Sequence, residues 1–214
     1  KKKGVHTGEF RIQHVSYLAG KRTKETIHKE NGIMVKLDIG KCYFSPRLVT
    51  ERKRVAELVK QGEEVLVMFS GVGVYCLVFA KNTKAKEIIG IEKNPIAHAY
   101  AEENVALNKA RNVQVLCGDV RKVVPKLKKA FDRILMPLPM GAESFLDVAL
   151  SVIKRKGIIH FYDFLHETEF PHVAEEKVLK ACKQAGRKCK ILQTVKCGNY
   201  APRRWRVCVD FMVI

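Results

Sequence analysis

Residues 69–73, Phe-Ser-Gly-Val-Gly, stand directly behind the apolar run EEVLVMF. A glycine turn in that position lets backbone approach a ligand without interference from a Cβ. Two acids follow at useful spacing. Glu92 closes the apolar run EIIGIE, 19 positions after Gly73, where a carboxylate can accept from ribose hydroxyls. Asp119 closes the next run, NVQVLCGD, where an acid can accept from an adenine amino group. A fourth run ends in MPLP. The glycine pair alone marks only a tight turn. Gly71, Gly73, Glu92 and Asp119 at successive strand ends mark a nucleoside-binding edge, because open parallel sheets bind ligands at the carboxyl ends of their strands. A nicotinamide dinucleotide calls for G-x-G-x-x-G. Position 76 is Cys76, so S-adenosylmethionine is the preferred ligand.

These positions need a scaffold, and the pattern supplies one. TERKRVAELVKQG reads as a helix with Thr50 as its N-cap and Val55, Leu58 and Val59 on one face. EEVLVMF, EIIGIE, NVQVLCGD, FDRILMPLP and GIIHFYDF read as strands. Between them VYCLVFAKN, PIAHAYAEENVALNK (opened by Pro95), the short VRKVVPKLKK and ESFLDVALSVI read as helices. A further helix is expected over 171–186. KILQTVKC and RWRVCVDFMVI follow without a helix between them, which predicts an antiparallel edge hairpin. The fold class is α/β: a Rossmann-like, doubly wound parallel sheet with a C-terminal antiparallel hairpin, the topology associated with S-adenosylmethionine-dependent (class I) methyltransferases. Residues 46–214 form that domain. Residues 1–45 are expected to form a small, basic, β-rich subdomain beside it, with GEFRIQHVSYLAG and IMVKLDI as strands and HKENG as a turn.

The bulk properties narrow the partner. The 214 residues carry 40 Lys and Arg against 22 Asp and Glu, a net charge of +18, which favours a polyanion and above all nucleic acid. No apolar run approaches the roughly 18 residues that span a bilayer, and no signal peptide is visible, so a cytoplasmic protein without membrane contact is expected. The seven cysteines are odd in number and contain no CxxC, which argues for reduced, buried thiols. No metal site is expected: FLHETEF offers His166 and Glu167 but no second histidine four residues on. The chain begins at Lys1, which reads as a fragment with its natural N-terminus upstream.

YFSPRLVTERKRVAELV, VLVMFSGVGVY, IEKNPIAHAYAEENVALNK, GDVR, DRILMPLP and YAPRRWRVCVDF occur in one order that resembles a single family. It is that of the archaeal and eukaryotic tRNA methyltransferases that make N1-methylguanosine at position 37, beside the anticodon. The resemblance covers nearly the whole chain. It implies S-adenosylmethionine as cofactor, the tRNA anticodon loop as partner, a monomer, and a tRNA-gripping domain that this chain lacks. It further implies Glu51 as the general base at guanine N1 and Arg11 as the stabiliser of charge at O6. Tyr43, Arg47 and Arg52 would contact tRNA, and Phe69, Gly71, Gly73, Glu92, Asp119 and Val120 would line the cofactor pocket. The chemistry suits these types: N1 carries a proton at neutral pH that a carboxylate can remove, and a guanidinium suits the charge left on O6.

Two positions depart from the family pattern. Val67 stands where an acid is common, so the methionine end of the ligand must be held by backbone or other side chains. Pro137, assigned to the catalytic set, replaces the Asn of an Asn-Leu-Pro motif and offers neither a side-chain donor nor an N–H. Both resemble an archaeal subgroup that also methylates carbon 7 of the wyosine precursor 4-demethylwyosine. The alternatives are the related aminocarboxypropyl transferase of the wyosine pathway and an RNA-binding relative without chemistry.

Overall fold

The computed structural model describes residues 2–20, 22–138 and 140–214. Two hairpins open the chain: β1 (Lys2–Thr7) with β2 (Ile12–Val15), and β3 (Glu25–Glu30) with β4 (Ile33–Asp38). Then come α1 (Val49–Leu58), β5 (Glu64–Met68), α2 (Val74–Asn82), β6 (Glu87–Glu92), α3 (Pro95–Leu107) and β7 (Val113–Cys117). The rest is α4 (Val120–Val123), β8 (Phe131–Met136), α5 (Leu146–Val152), β9 (Ile153–His166), α6 (His172–Gln184), β10 (Cys189–Ala201) and β11 (Arg204–Val213).

The main sheet has the order β10-β11-β9-β8-β5-β6-β7. β5 to β9 are parallel and β11 is antiparallel to both its neighbours, as the missing crossover helix predicts. The strand order reverses between β5 and β8, and that switch point is where such sheets open a crevice. Alternation along β5 splits the core. Leu66 and Met68 face α5 and α6, while Val65 and Val67 face α2 and the β3–β4 hairpin. Val67 is fully buried in that second cluster, which also holds Ile33, Val35 and Leu37 of β4. The hairpin therefore packs on the same core as the sheet.

Local expectations needed several corrections. Only Ile12–Val15 of GEFRIQHVSYLAG is strand, and its partner is the lysine-rich start of the chain. The turn within HKENG is just Asn31 and Gly32, both at positive φ (42° and 78°), the pair a tight hairpin favours. Thr50 is not a cap: a 3-10 turn over Pro46–Leu48 runs straight into α1, so Thr50 lies inside it. Leu58 is exposed rather than on the buried face. ESFLDVALSVI begins as a 3-10 turn and β9 starts four residues earlier than the run GIIHFYDF, at Ile153. All seven cysteines are free thiols, four of them buried. Among the described residues no helix is long and apolar enough to cross a membrane.

Candidate active site

The turn after β5 is wound by three left-handed residues, Phe69 (φ 60°), Gly71 (57°) and Gly73 (83°). Glu92 holds it in place. One carboxylate oxygen accepts from the Gly71 N–H at 2.7 Å and the other from the Asn94 N–H at 2.7 Å. Burial pushes the Glu92 carboxyl up, against the pull of those N–H groups. Asn94 then caps α3 through Ile96 N, just ahead of Pro95. Asp119 caps α4 by accepting from Arg121 N at 2.9 Å and pairs with Lys93 at 3.1 Å; both hold its carboxyl below the usual range. Lys93 also binds Glu9 at 2.6 Å, which closes the β1–β2 turn over the crevice.

One cavity at the switch point gathers most of the expected residues. Phe69, Gly71, Glu92, Asp119 and Val120 line it together with Arg11, Tyr43 and Pro137. Phe69 meets Phe145 edge-on at 5.0 Å, giving the crevice an apolar wall. The Arg11 guanidinium sits 5.8 Å from the ring centres of both Tyr43 and Phe164. Tyr43 Oη accepts from Arg206 at 2.7 Å. Two carboxylates, backbone exposed at glycines and apolar walls are what an adenosine requires.

Four expected residues lie elsewhere. Glu51 is buried and outside the cavity lining. Arg54 clamps both its oxygens (2.7 and 2.8 Å), and Tyr162 Oη donates to one of them at 2.7 Å. Behind it Arg54 donates to Asp210, Asp210 meets His160 at 2.5 Å, and Arg133 joins His160 to Glu63. Arg133 can only donate, so His160 accepts at Nε2 and carries its proton on Nδ1, toward Asp210. Arg52 is a correction. It is 1% exposed, makes a bidentate pair with Glu30 at 2.5 Å and bonds the Ser45 carbonyl, so it is a core residue and not a tRNA contact. Gly73 is outside the cavity lining, and a Cβ there would meet Ala101 Cβ at 3.3 Å, so this glycine lets α2 pack on α3. Arg47 is exposed on the 3-10 turn before α1. His160, Cys208 and Asp210 cluster within 4.8 Å, but Arg54 and Arg133 already supply the positive charge a metal would bring.

A family model described as the TRM5/TYW2 methyltransferase domain matches residues 26–192. The chain belongs to that family. It is 42% identical over 206 residues to the tRNA (guanine(37)-N(1))-methyltransferase Trm5b of Pyrococcus abyssi, covering 96% of this chain and 61% of that protein. It is 39% identical over 204 residues to the tRNA(Phe) (4-demethylwyosine(37)-C(7)) aminocarboxypropyltransferase of Methanocaldococcus jannaschii, covering 95% and 81%. The crystal structure of TYW2 from M. jannaschii in complex with AdoMet superposes with a TM-score of 0.85 at 34% identity, over 92% of this chain and 89% of that one. The chain thus spans about three fifths of the length of the first relative.

Within this TRM5/TYW2 domain, sequence reasoning missed Glu9, Lys93, Asn94, Phe145, Phe164 and Arg206. Asn94 had a local signal, an Asn directly before a proline-opened helix. Phe164 and Arg206 are paired across β9 and β11 at the carboxyl end of the sheet. No spacing rule brings residues 42 positions apart together before the strands are registered.

Proposed function

We propose that this chain is the catalytic part of a tRNA methyltransferase that transfers a methyl group to N1 of guanosine 37, with S-adenosylmethionine as donor. The observation that carries the reading is the single cavity in which Phe69, Gly71, Glu92, Asp119 and Val120 meet Arg11, Tyr43 and Pro137. Glu92 and Asp119 hold the ribose and adenine of the cofactor, and Phe69 and Val120 pack against it. The bound cofactor supplies an electrophilic methyl group. Tyr43 offers a face for the target base and Arg11 a cation for the charge that develops at O6. Glu51 takes the N1 proton. For that role it exchanges Arg54 or Tyr162 for the guanine as the substrate enters. Residues 1–45 supply Arg11 and Tyr43 to the guanine side, and residues 46–214 supply Glu51 and the cofactor side. The enzyme works as a monomer in the cytoplasm, on the anticodon loop.

Pro137 favours a second activity. Its position in the cavity wall offers no donor or acceptor side chain to guanine, which suits the tricyclic precursor methylated on carbon 7. The aminocarboxypropyl reading rests on the similarly close transferase relative.

The test uses tRNA transcripts differing only at position 37, methyl-labelled cofactor, and wild-type or Glu51→Gln protein. Label entering only the guanosine-37 transcript, and falling by roughly 100-fold or more in the variant, is the expected result. Full activity in the variant would leave Glu51 a structural anchor. Release of methylthioadenosine with precursor-bearing tRNA, and no label in any transcript, would replace methyl transfer by aminocarboxypropyl transfer.

A further inference from the structure

Among the described residues three arginines are at least nine-tenths buried: Arg52, Arg133 and Arg206. Arg52 is neutralised by Glu30 and Arg133 by Glu63. Among the described residues no carboxylate pairs with Arg206. Among the described residues its side chain makes one hydrogen bond, to a neutral group, from a terminal nitrogen to Tyr43 Oη at 2.7 Å, and its buried Nε meets none of their acceptors. An uncompensated buried cation with an idle donor is costly, and folded proteins rarely keep one without use. A second cation makes the position more demanding still. Arg11 and Arg206 both approach the Phe164 ring, at 5.8 and 5.1 Å, and both engage Tyr43. Beside them Phe164 stacks on Tyr200 at 4.2 Å and 27°, and Tyr200 is 48% exposed.

We infer that Arg206 is the seat of a phosphodiester group of the RNA strand next to the target nucleotide, with Tyr200, backed by Phe164, as the platform for an adjoining base. This rests on the tRNA reading above and adds a positioning residue to it. The cofactor's own carboxylate is the less fitting anion, because Arg206 is absent from the lining of the cofactor cavity and lies behind Tyr43. Tyr43 is half-buried and faces the cavity. A phosphate that takes the place of the Tyr43 hydroxyl at the guanidinium leaves the ring free for the target base and gives Arg206 a charge-assisted bidentate partner. An exposed aromatic next to that phosphate takes any base, since every base has a π-face.

The experiment replaces, one at a time, the phosphates flanking guanosine 37 in an anticodon stem-loop RNA with neutral methylphosphonates. Affinity is measured for the wild type, Arg206→Met and Arg206→Lys. One linkage is expected to weaken wild-type binding about tenfold, Arg206→Met to lose a similar factor on unmodified RNA, and the two losses not to add. Arg206→Lys should recover part of the loss, and S-adenosylmethionine affinity should be unchanged in both variants. If Arg206→Met does not fold, the wild-type scan and the Lys variant carry the same cycle. The inference is overturned if no flanking linkage matters or if the losses add. It also falls if Arg206→Met weakens cofactor binding, or lowers kcat with RNA affinity intact. A wild type that binds no stem-loop would sink the tRNA reading itself; normal, linkage-insensitive binding would remove only Arg206 from it.

Discussion

Asp210 accepts from Arg54, His160 and Gln193 in a site where it is 1% exposed. Burial alone would raise its carboxyl, but His160 and Arg54 outweigh burial and hold it well below the usual carboxylate range. A depressed folded-state pKa gives stability that is fully present above the unfolded value, about 3.9, and is lost as pH falls through the folded one. Asp210→Asn therefore swaps one acceptor oxygen for an NH2 donor among Arg54, His160 and Gln193, all of which donate there, and leaves buried donors unsatisfied. It should cost roughly 3–5 kcal/mol at neutral pH in chemical denaturation. The difference from wild type should shrink on acidification below about pH 4. A gap that stays constant with pH would mean that the ionised carboxylate is not what stabilises the network. This scale is also where the sequence was least informative. Glu92 and Asp119 could be read because their role follows from ending a strand, a local property. Arg52 and Arg206 are two arginines in basic surroundings, and only the fold gives one of them Glu30 and the other the Tyr43 hydroxyl.

At the level of elements, β4 is joined to α3 by two asparagines spaced four residues apart. Asn104 accepts from Lys36 N at 2.7 Å and donates to Lys36 O at 2.9 Å; Asn108 does the same with Met34 N (2.9 Å) and O (2.6 Å). Four residues of helix rise about 6 Å and two residues of strand about 6.6 Å, so the amides match alternate residues along the open edge of β4 and act in place of a neighbouring strand. Asn104 also donates to Val72 O at 3.1 Å, within the ligand turn, which links the hairpin to the site. Since Asn104 is fully buried, Asn104→Ala should cost about 2–4 kcal/mol by leaving strand groups unsatisfied, and Asn108→Ala, which is more exposed, clearly less. Amide exchange at Lys36 should quicken, and cofactor affinity should fall along with it. Unchanged exchange at Lys36 would show that apolar packing of Ile33, Val35 and Leu37 holds the hairpin without the amides. The parallel sheet and its order of elements were legible because hydrophobic period and strand-to-helix alternation are written locally. The mounting of β3–β4 was not. In the sequence AEENVALN is a polar helix face, and nothing in it shows that two of its amides face a strand edge some 70 positions earlier.

The whole molecule carries +18 on 214 residues, far more than its internal ion pairs need. Many lysines are spent locally: Lys86, Lys129 and Lys154 all converge on Glu64, whose carboxyl is held down to about 2 chiefly by Lys154. The net excess is balanced by counterions until an anionic surface displaces them. If RNA is that surface, its affinity must fall steeply with salt, because each neutralised phosphate releases a condensed ion. Six contacts would give a slope of about −4 to −5 in log K against log salt, between the single-strand and duplex limits. Cofactor affinity should hardly change over the same range, since its carboxylates, Glu92 and Asp119, are held by backbone N–H groups and Lys93 within the crevice. The contrast matters more than either slope. Equal salt sensitivity for both ligands would mean that the charge acts on general solubility. Steep RNA dependence, reduced by about one in Arg206→Met, would assign the basic surface to the phosphate chain and that one residue to a single phosphate along it.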